Sequence, residues 1–170
     1  MQFKDGVKVN EGGGMFLKLE DGETVMGVFR GEPREYDIHY IQGKGYIDCV
    51  SGCVHCTDGV KQSFRFRVNF VVKVNGALTP KIFENGVLIY NAMKELNKDY
   101  PLESTLVKLT RTGLKKDTVY SVLPVPPSKY DPKELAARLS DVQLLPLESK
   151  KAVQEESFPE QVPFDEQNPF

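Results

Sequence analysis

Five stretches of the chain alternate apolar and polar residues with a period of two, which is the pattern of half-buried β-strands. The first two stretches flank the dipeptide Asp21-Gly22, which between alternating runs is a strong signal for a β-hairpin. The last two flank a short charged turn and predict a second hairpin. The predicted strands cover residues 15–20, 23–31, 64–74, 104–113 and 117–126.

Helical spacing replaces this alternation in two places. Thr79-Pro80 is typical of a helix start, and apolar residues follow at roughly helical intervals until Pro101, so we expect a helix over 80–98. A shorter helix is expected over 131–139, where an aspartate and a proline can cap and begin it. Residues 33–45 mix basic, aromatic and turn-forming residues, and they predict a long loop or a broken strand.

The resulting order of three strands, a helix and two strands is that of the OB-fold, a small, partly open barrel that commonly binds oligonucleotides. We therefore predict a mainly β protein built on a five-stranded OB-fold barrel with an inserted metal-binding loop and a short C-terminal helix. The predicted organisation is a barrel domain at 1–128 with the loop at 39–56, a helix and linker at 129–147, and an aperiodic, disordered acidic tail at 148–170.

Composition adds a size class and an asymmetry of charge. The 170 residues are 40% apolar and 27% charged, which is ordinary for one globular domain with extensions. The absence of an apolar run of membrane-spanning length and of a secretory leader leads us to expect a cytoplasmic protein without a membrane partner. Residues 155–170 contain five acidic and no basic residues, so the rest of the chain, with 22 basic and 19 acidic residues, carries about +3.

All three cysteines lie within eight residues of one another, and both histidines are close by in sequence. Thiolate and imidazole groups are the ligands of closed structural zinc sites, and a Cys-x-x-Cys pair brings two sulfurs to one ion. Cys53 and Cys56 form that pair and Cys49 precedes it, so the fourth ligand has to be a histidine. His39 is our first choice, and His55 is the alternative. The other interpretation is a loop of free thiols that binds nothing.

We expect this zinc ion to be structural and the protein not to be an enzyme. Zinc deaminases require a His-x-Glu motif and a Pro-Cys-x-x-Cys motif, whereas Gly52 precedes Cys53 here and no glutamate follows His39 at that spacing. The sequence also has no glycine-rich phosphate loop and no recognisable pairing of a nucleophile with a base.

Basic and aromatic residues are interleaved along the third predicted strand and the segment before the cysteines. Single-stranded nucleic acids are bound by cations that follow the phosphates and by aromatic rings on which bases stack. We expect Arg65, Arg67 and Lys73 to line an exposed face of the strand, while its phenylalanines pack in the core. The other candidate DNA-binding residues are Lys18, Arg30, Arg34, Tyr36, Tyr40, Lys44, Tyr46, Lys108 and Arg111. The alternative is a solvated strand face whose charges favour solubility.

The C-terminal segment contains a short repeat in which phenylalanine recurs every six residues. A segment of this composition cannot bury enough apolar surface to fold alone, so its aromatic residues are candidate anchors for a protein partner. The alternative is a tail that only increases solubility. The candidate partner-binding residues are Phe158, Phe164, Asp165, Glu166 and Phe170.

Together these features resemble the phage single-stranded-DNA-binding proteins, the helix-destabilising proteins of replication. The likeness rests on GMFLKLEDGETVMGVFR at 14–30, on His39 with the three cysteines, on SFRFRVNFVV at 63–72 and on the acidic end that closes with Pro169-Phe170. It implies an OB-fold, a zinc ion held by three cysteines and His39, and a tail that recruits replication or repair proteins and competes with DNA for the basic groove.

The resemblance therefore implies a non-catalytic protein that coats single-stranded DNA in replication, recombination or repair. Self-association on the DNA and a location in the host cytoplasm, if the chain is phage-encoded, are further expectations. Two alternatives stay open: a zinc-stabilised adaptor that binds only proteins, and an OB-fold protein that binds RNA.

Overall fold

The computed structural model describes residues 14–148. All of the predicted acidic tail except Glu148, including its candidate partner-binding residues, therefore lies outside the described part of the chain. Within it, the strands are β1 (Thr24–Ile41), β2 (Gly45–Asp48), β3 (Gln62–Val74), β4 (Ala77–Gly86), β5 (Val107–Thr112) and β6 (Val119–Pro124). The α-helices are α1 (Val54–Thr57), α2 (Val87–Asp99) and α3 (Pro132–Ser140).

The six strands form one antiparallel sheet with the order β4-β3-β1-β5-β6, and β2 pairs with β1. One edge of β1 pairs with β3 over most of its length, and the other edge pairs first with β5 and then with β2. Across residues 14–148 no pairing joins the outer strands β4 and β6, so the sheet is not closed. The predicted mainly β class is confirmed, but closure into a barrel is not.

The first predicted hairpin is wrong in its pairing. Asp21 and Gly22 do form a turn, but the segment before them runs beside β4, where the main-chain N–H of Leu17 donates to the carbonyl of Ile82 at 2.8 Å. This path buries Leu19 in the core, and burial of its side chain therefore outweighs the local preference for a hairpin. The second predicted hairpin is confirmed as β5 and β6, which join through a short 3₁₀ turn.

The predicted helix over 80–98 is wrong in its first part, because Ala77–Gly86 is a strand and the helix begins at Val87. Two adjacent residues, Ile82 and Phe83, are both buried, and in a strand their side chains point to opposite faces. Pro80 can be accommodated because β4 is an outer strand of the sheet.

The segment predicted as a loop or a broken strand is the second half of β1. The register of β1 against β3 shifts between Arg30 and Arg34, and Gly31 within this bulge has φ +75°, which glycine adopts without strain. The bulge lets β1 bend and still remain paired with β3 as far as His39.

Two apolar clusters cover the two faces of β3. The larger one contains Phe66 and Phe70, both fully buried, and is closed by Ile89 and Met93 of α2. These phenylalanines are therefore core residues, as predicted. The smaller cluster packs Leu139 of α3 on the opposite face of the sheet.

Helix α3 forms where the sequence predicts a helix. Its N-cap Asp131 accepts hydrogen bonds from the main-chain N–H groups of Lys133 and Glu134. None of the helices formed by residues 14–148 has the length and apolar character that crossing a membrane would require.

Candidate metal centre and nucleic-acid interface

The four predicted metal ligands lie together at one end of the sheet. The ligand atoms of His39, Cys49, Cys53 and Cys56 all lie within 4.8 Å of one another. His39 Nε2 is 3.3 Å from Cys56 Sγ, and Cys49 Sγ is 3.4 Å from Cys56 Sγ. Zinc–sulfur and zinc–nitrogen bonds in a tetrahedral site place ligand atoms roughly 3.5 to 3.8 Å apart. The donor set and its spacing therefore fit one metal ion and are compatible with structural zinc.

The four ligands lie in three separate parts of the chain. His39 lies near the end of β1, between its partners Ile47 on β2 and Gln62 on β3. Cys49 follows β2, and its main-chain N–H donates to the carbonyl of Asp37 at 2.8 Å. Cys53 is the N-cap of α1 and Cys56 lies within it, and α1 is a single helical turn. The hairpin of β1 and β2 and this turn therefore close around the same point.

The structure distinguishes between the two histidines. His39 is fully buried, and its Nδ1 lies 3.1 Å from the carbonyl of Lys61. Because a carbonyl can only accept, Nδ1 carries the proton and the Nε2 lone pair is left for a metal. His55 is half-buried, and its ring centroid is 5.8 Å from that of His39. Its nitrogens are not part of the group of ligand atoms, so the site favours His39.

The thiols of the cluster differ in acidity. The main-chain N–H of Cys56 lowers the pKa of Cys53 to about 7, with the N–H of His55 adding to this effect, although burial opposes it. The pKa of Cys56 is raised, first by its hydrogen bond with Cys49 and then by burial. Since the thiolate is the form that binds metal, Cys53 is the sulfur best prepared to do so.

Four of the predicted DNA-binding residues share one face of β1 and β3. Arg34 lies opposite Arg67 and Tyr36 lies opposite Arg65 in the register of the two strands, and Asn69 extends the same face of β3. We call the surface formed by Arg34, Tyr36, Arg65, Arg67 and Asn69 the cationic face.

The β3 residues of the cationic face are buried and Arg34 and Tyr36 are half-buried, contrary to the prediction for the polar side of this strand. Arg65 is 9% exposed and Arg67 is 1% exposed. The guanidinium of Arg67 lies 5.2 Å from the ring centroid of Tyr36 and 5.4 Å from that of Phe16. The expectation of an exposed face is therefore wrong for Arg65 and Arg67, because other parts of the chain cover them, whereas Lys73 is exposed.

A carboxylate from β4 neutralises part of this charge. Arg67 Nε donates to Glu84 Oε2 at 2.5 Å, Tyr36 donates its hydroxyl hydrogen to the same oxygen at 2.6 Å, and Arg65 lies 3.9 Å from Oε1. Burial alone would raise the pKa of Glu84, but the charge of Arg67 and the hydrogen bond from Tyr36 outweigh it and lower this pKa. Three arginines and one ionised carboxylate leave the face positive.

A segment that follows α3 crosses the cationic face, and we call residues 145–148 the strap. The side chain of Asn69 makes two hydrogen bonds with the main chain of Leu145, each 2.9 Å long. Arg34 donates to the carbonyl of Leu147 at 3.0 Å, and Arg67 donates to the carbonyl of Glu148. Arginine side chains therefore already bind oxygen atoms at intervals along this segment.

The other predicted contacts are placed differently. Tyr40 and Tyr46 form a pair across β1 and β2, with ring centroids 5.3 Å apart, next to the metal cluster. Arg30 lies opposite Asn69 and therefore borders the cationic face, but its guanidinium donates to the carbonyl of Glu103. The residues that lie away from the cationic face are Lys18 and Lys44 on exposed turns and connections, Lys73 at the far end of β3, and Lys108 and Arg111 on opposite faces of β5.

Sequence reasoning missed three contributors to these sites. Asn69 continues the alternation of Arg65 and Arg67, so that pattern contained a signal for it. Glu84 lies in a segment for which the sequence predicts a helix, so its position beside β3 could not be foreseen. The strap has no periodic pattern, and its contact with Asn69 spans 76 positions of sequence.

The fold and the site define a mainly β protein in which a cluster able to hold a metal ion adjoins a cationic sheet face. Comparison with protein-family models, with curated proteins and with solved structures finds no match to this chain. Its function is therefore inferred from its own geometry.

Proposed function

We propose that the protein binds single-stranded DNA on the cationic face and coats it during replication, recombination or repair. The observation that carries this proposal is the convergence of Arg34, Arg65 and Arg67 on one face, where the guanidinium groups of Arg34 and Arg67 bind oxygen atoms of the strap. These guanidinium groups are spaced to bind a chain that carries acceptor oxygen atoms at intervals along its length. A sugar-phosphate backbone is such a chain.

In this proposal, DNA replaces the strap. The carbonyl oxygens of Leu147 and Glu148 are neutral acceptors, whereas a phosphate oxygen forms a stronger, charge-assisted hydrogen bond with arginine. Arg67 Nη2 is buried and makes no hydrogen bond within the described residues, so it offers a further donor. Binding therefore requires the strap to leave the cationic face.

The aromatic residues take two different roles. Arg34 and Arg67 lie 5.6 and 5.2 Å from the ring centroid of Tyr36, so this ring positions the guanidinium groups rather than a base. The pair formed by Tyr40 and Tyr46 is the better stacking surface, and each stacked base contributes roughly 1 to 3 kcal/mol.

The element order supports an OB-type sheet that is left open. With β2 counted as part of the loop, β1, β3, β4, α2, β5 and β6 give three strands, a helix and two strands. In the OB-fold, oligonucleotides bind on the second and third strands and on the loop between the first two. Here these parts are β3, β4 and the loop that contains the cysteines.

The metal in this proposal is zinc, held by His39, Cys49, Cys53 and Cys56. Three thiolates and one imidazole complete a tetrahedron and leave no position for a substrate, which is the arrangement of a structural rather than a catalytic ion. The ion stabilises the loop beside the stacking pair. We propose accordingly that the protein is not an enzyme.

The test is a fluorescence anisotropy titration with labelled oligo-dT at several salt concentrations. We expect affinity to fall steeply with salt, and Arg34→Ala and Arg65→Ala to weaken binding and to reduce the salt slope by about 0.7 for each phosphate that is no longer neutralised. Lys98→Ala, on the exposed side of α2, is the matched control and should bind like the wild type. Binding that is insensitive to salt would overturn the proposal, and competition between oligo-dT and oligo-U decides between DNA and RNA.

One observation favours a second candidate, a protein-binding adaptor, because the cationic face holds a polypeptide main chain in the structure. For an adaptor, a chain that ends at Gln143 should bind a labelled peptide of sequence LLPLE and should not bind oligo-dT.

The recruitment of replication or repair proteins by the acidic tail follows from the resemblance alone. Deleting residues 155–170 should abolish that recruitment without weakening oligo-dT binding.

A further inference from the structure

Two residues, Lys61 just before β3 and Gln62 at its start, contact three of the four ligands of the proposed metal centre. The carbonyl of Lys61 accepts from His39, as described above. The side-chain nitrogen of Gln62 lies 3.1 Å from Cys49 Sγ and 3.1 Å from Cys56 Sγ. Gln62 is also the partner of His39 in the register of β1 and β3. A single side chain therefore contacts two sulfur ligands from the strand that leads to the cationic face.

We propose that Gln62 is a positioning residue of the metal centre, and that its amide donates both N–H groups to Cys49 and Cys56. The inference rests on the proposed metal centre. An amide nitrogen carries two hydrogens and no acceptor site, whereas a thiolate only accepts. Nε2 rather than Oε1 therefore faces the two sulfurs, because the opposite orientation would place an oxygen lone pair against them.

The charge of the site explains why such donors matter. A divalent ion with three thiolates and a neutral imidazole leaves one net negative charge, which N–H donors around the sulfurs can disperse. Cys53 is the N-cap of α1, and its side chain makes no capping hydrogen bond in the structure. Gln62 supplies a donor to each of the other two sulfurs. Gln62 is therefore the side chain that places N–H donors against two of the three sulfurs.

Gln62 also fixes where the two sulfurs lie. Cys56 is exposed and Cys49 is half-buried, so packing alone restrains them less than it restrains Cys53. A donor that bridges both sulfurs holds them on the side of the cluster where β3 begins. Removing such an outer donor weakens metal binding by about 10-fold to 100-fold in other sites.

The experiment measures Zn²⁺ affinity by competition with a chromogenic chelator, and thiolate coordination by the absorption spectrum of the Co²⁺-loaded protein. We expect Gln62→Ala to bind Zn²⁺ about 10-fold to 100-fold more weakly than wild type. Gln62→Glu should lose at least as much, because it keeps the shape of the side chain but has no N–H and adds a negative charge. The control is Gln42→Ala, which changes an exposed glutamine of the turn between β1 and β2 and should bind like the wild type.

Each outcome has a separate meaning. Wild-type protein that binds neither Zn²⁺ nor Co²⁺ would overturn the metal centre and this inference with it. Wild-type protein that binds both ions, with both Gln62 variants within about twofold of it, would overturn only the role of Gln62. Circular dichroism of the variants reports whether they fold, and the Co²⁺ spectrum reports whether the three sulfurs still coordinate. None of these readouts depends on DNA binding, so failure of the DNA proposal would be recognised separately.

Discussion

The metal cluster and the cationic face lie next to each other on β1 and β3, but their functional groups are satisfied in different ways. In the cluster, four ligand atoms converge without any charge of opposite sign among them. On the cationic face, the guanidinium groups already contact Glu84 and the carbonyls of the strap. The cluster is thus able to hold an added ion without losing a contact, whereas in our proposal the cationic face gives up contacts before it binds DNA.

The largest effect is expected for Arg67→Ala, which tests whether the contacts inside the cationic face stabilise the fold. The change leaves Glu84 buried without the cation that donates to it, and breaking a buried pair in this way costs about 3 to 5 kcal/mol of the free energy of unfolding. Urea denaturation of the wild type and the variant measures this loss of unfolding free energy. As a control, Lys98→Ala breaks an exposed pair with Glu95 and should cost about 0 to 1 kcal/mol. If both variants lost similarly small amounts of unfolding free energy, the buried contacts of Arg67 would not stabilise the fold.

Removal of the metal should have the next largest effect. Protein in free Zn²⁺ at one hundred times the dissociation constant gains about 2.7 kcal/mol of stability, and a chelator should remove it. The melting temperature of wild type with and without chelator measures this gain. His39→Ala should melt at the same temperature in both conditions, whereas His55→Ala should keep the difference. The reverse result for the two histidines would mean that the fourth ligand is misassigned.

A smaller effect is expected when the strap is released. Asn69→Ala removes both hydrogen bonds to Leu145, each worth about 0.5 to 1.5 kcal/mol. We expect faster hydrogen exchange at the Leu145 amide, with little change in the core strands. Asn91→Ala, at an exposed position of α2, is the control and should leave that amide unchanged. Unchanged exchange in Asn69→Ala would show that Asn69 does not hold the strap.

The smallest effect is the pH dependence that comes from Glu84. Because its pKa is lowered in the folded protein, its ionised form stabilises the fold above the ordinary glutamate pKa of about 4.3. This stabilisation is lost as the pH falls through the lowered folded value. The difference in unfolding free energy between wild type and Glu84→Gln should therefore be constant near neutral pH and shrink in acid. A difference that grows in acid would contradict the direction of the shift.

The sequence predicts the metal cluster better than the cationic face for a physical reason. Cysteine and histidine are rare in this chain, so the three cysteines of one loop and the two nearby histidines are the obvious candidate ligands, although the sequence leaves the choice between His39 and His55 open. Basic residues are common, with 22 lysines and arginines, and whether Arg67 is exposed depends on Glu84 on the neighbouring strand and on a strap far along the chain. The alternation of residue types along β3 does not indicate where Glu84 or the strap will lie.

The fold shows the same limit. Alternation predicts a strand at 15–20 that the structure does not pair as a hairpin, and helical spacing predicts a helix start where Ala77–Gly86 is a strand. The described residues form four strands before α2 and two after it, so the predicted order of three strands, a helix and two strands holds only when β2 is counted as part of the loop. Local patterns identify elements such as the hairpin of β5 and β6, but the path of a segment between elements depends on tertiary burial.

The most direct test of the central claim titrates labelled oligo-dT against the full chain, a chain that ends at Glu148 and a chain that ends at Gln143. If the cationic face binds DNA and the strap covers it, all three bind at low salt, and the chain without the strap binds about tenfold more tightly than the one that retains it. If none of the three binds oligo-dT in dilute buffer, the cationic face is not a DNA-binding surface.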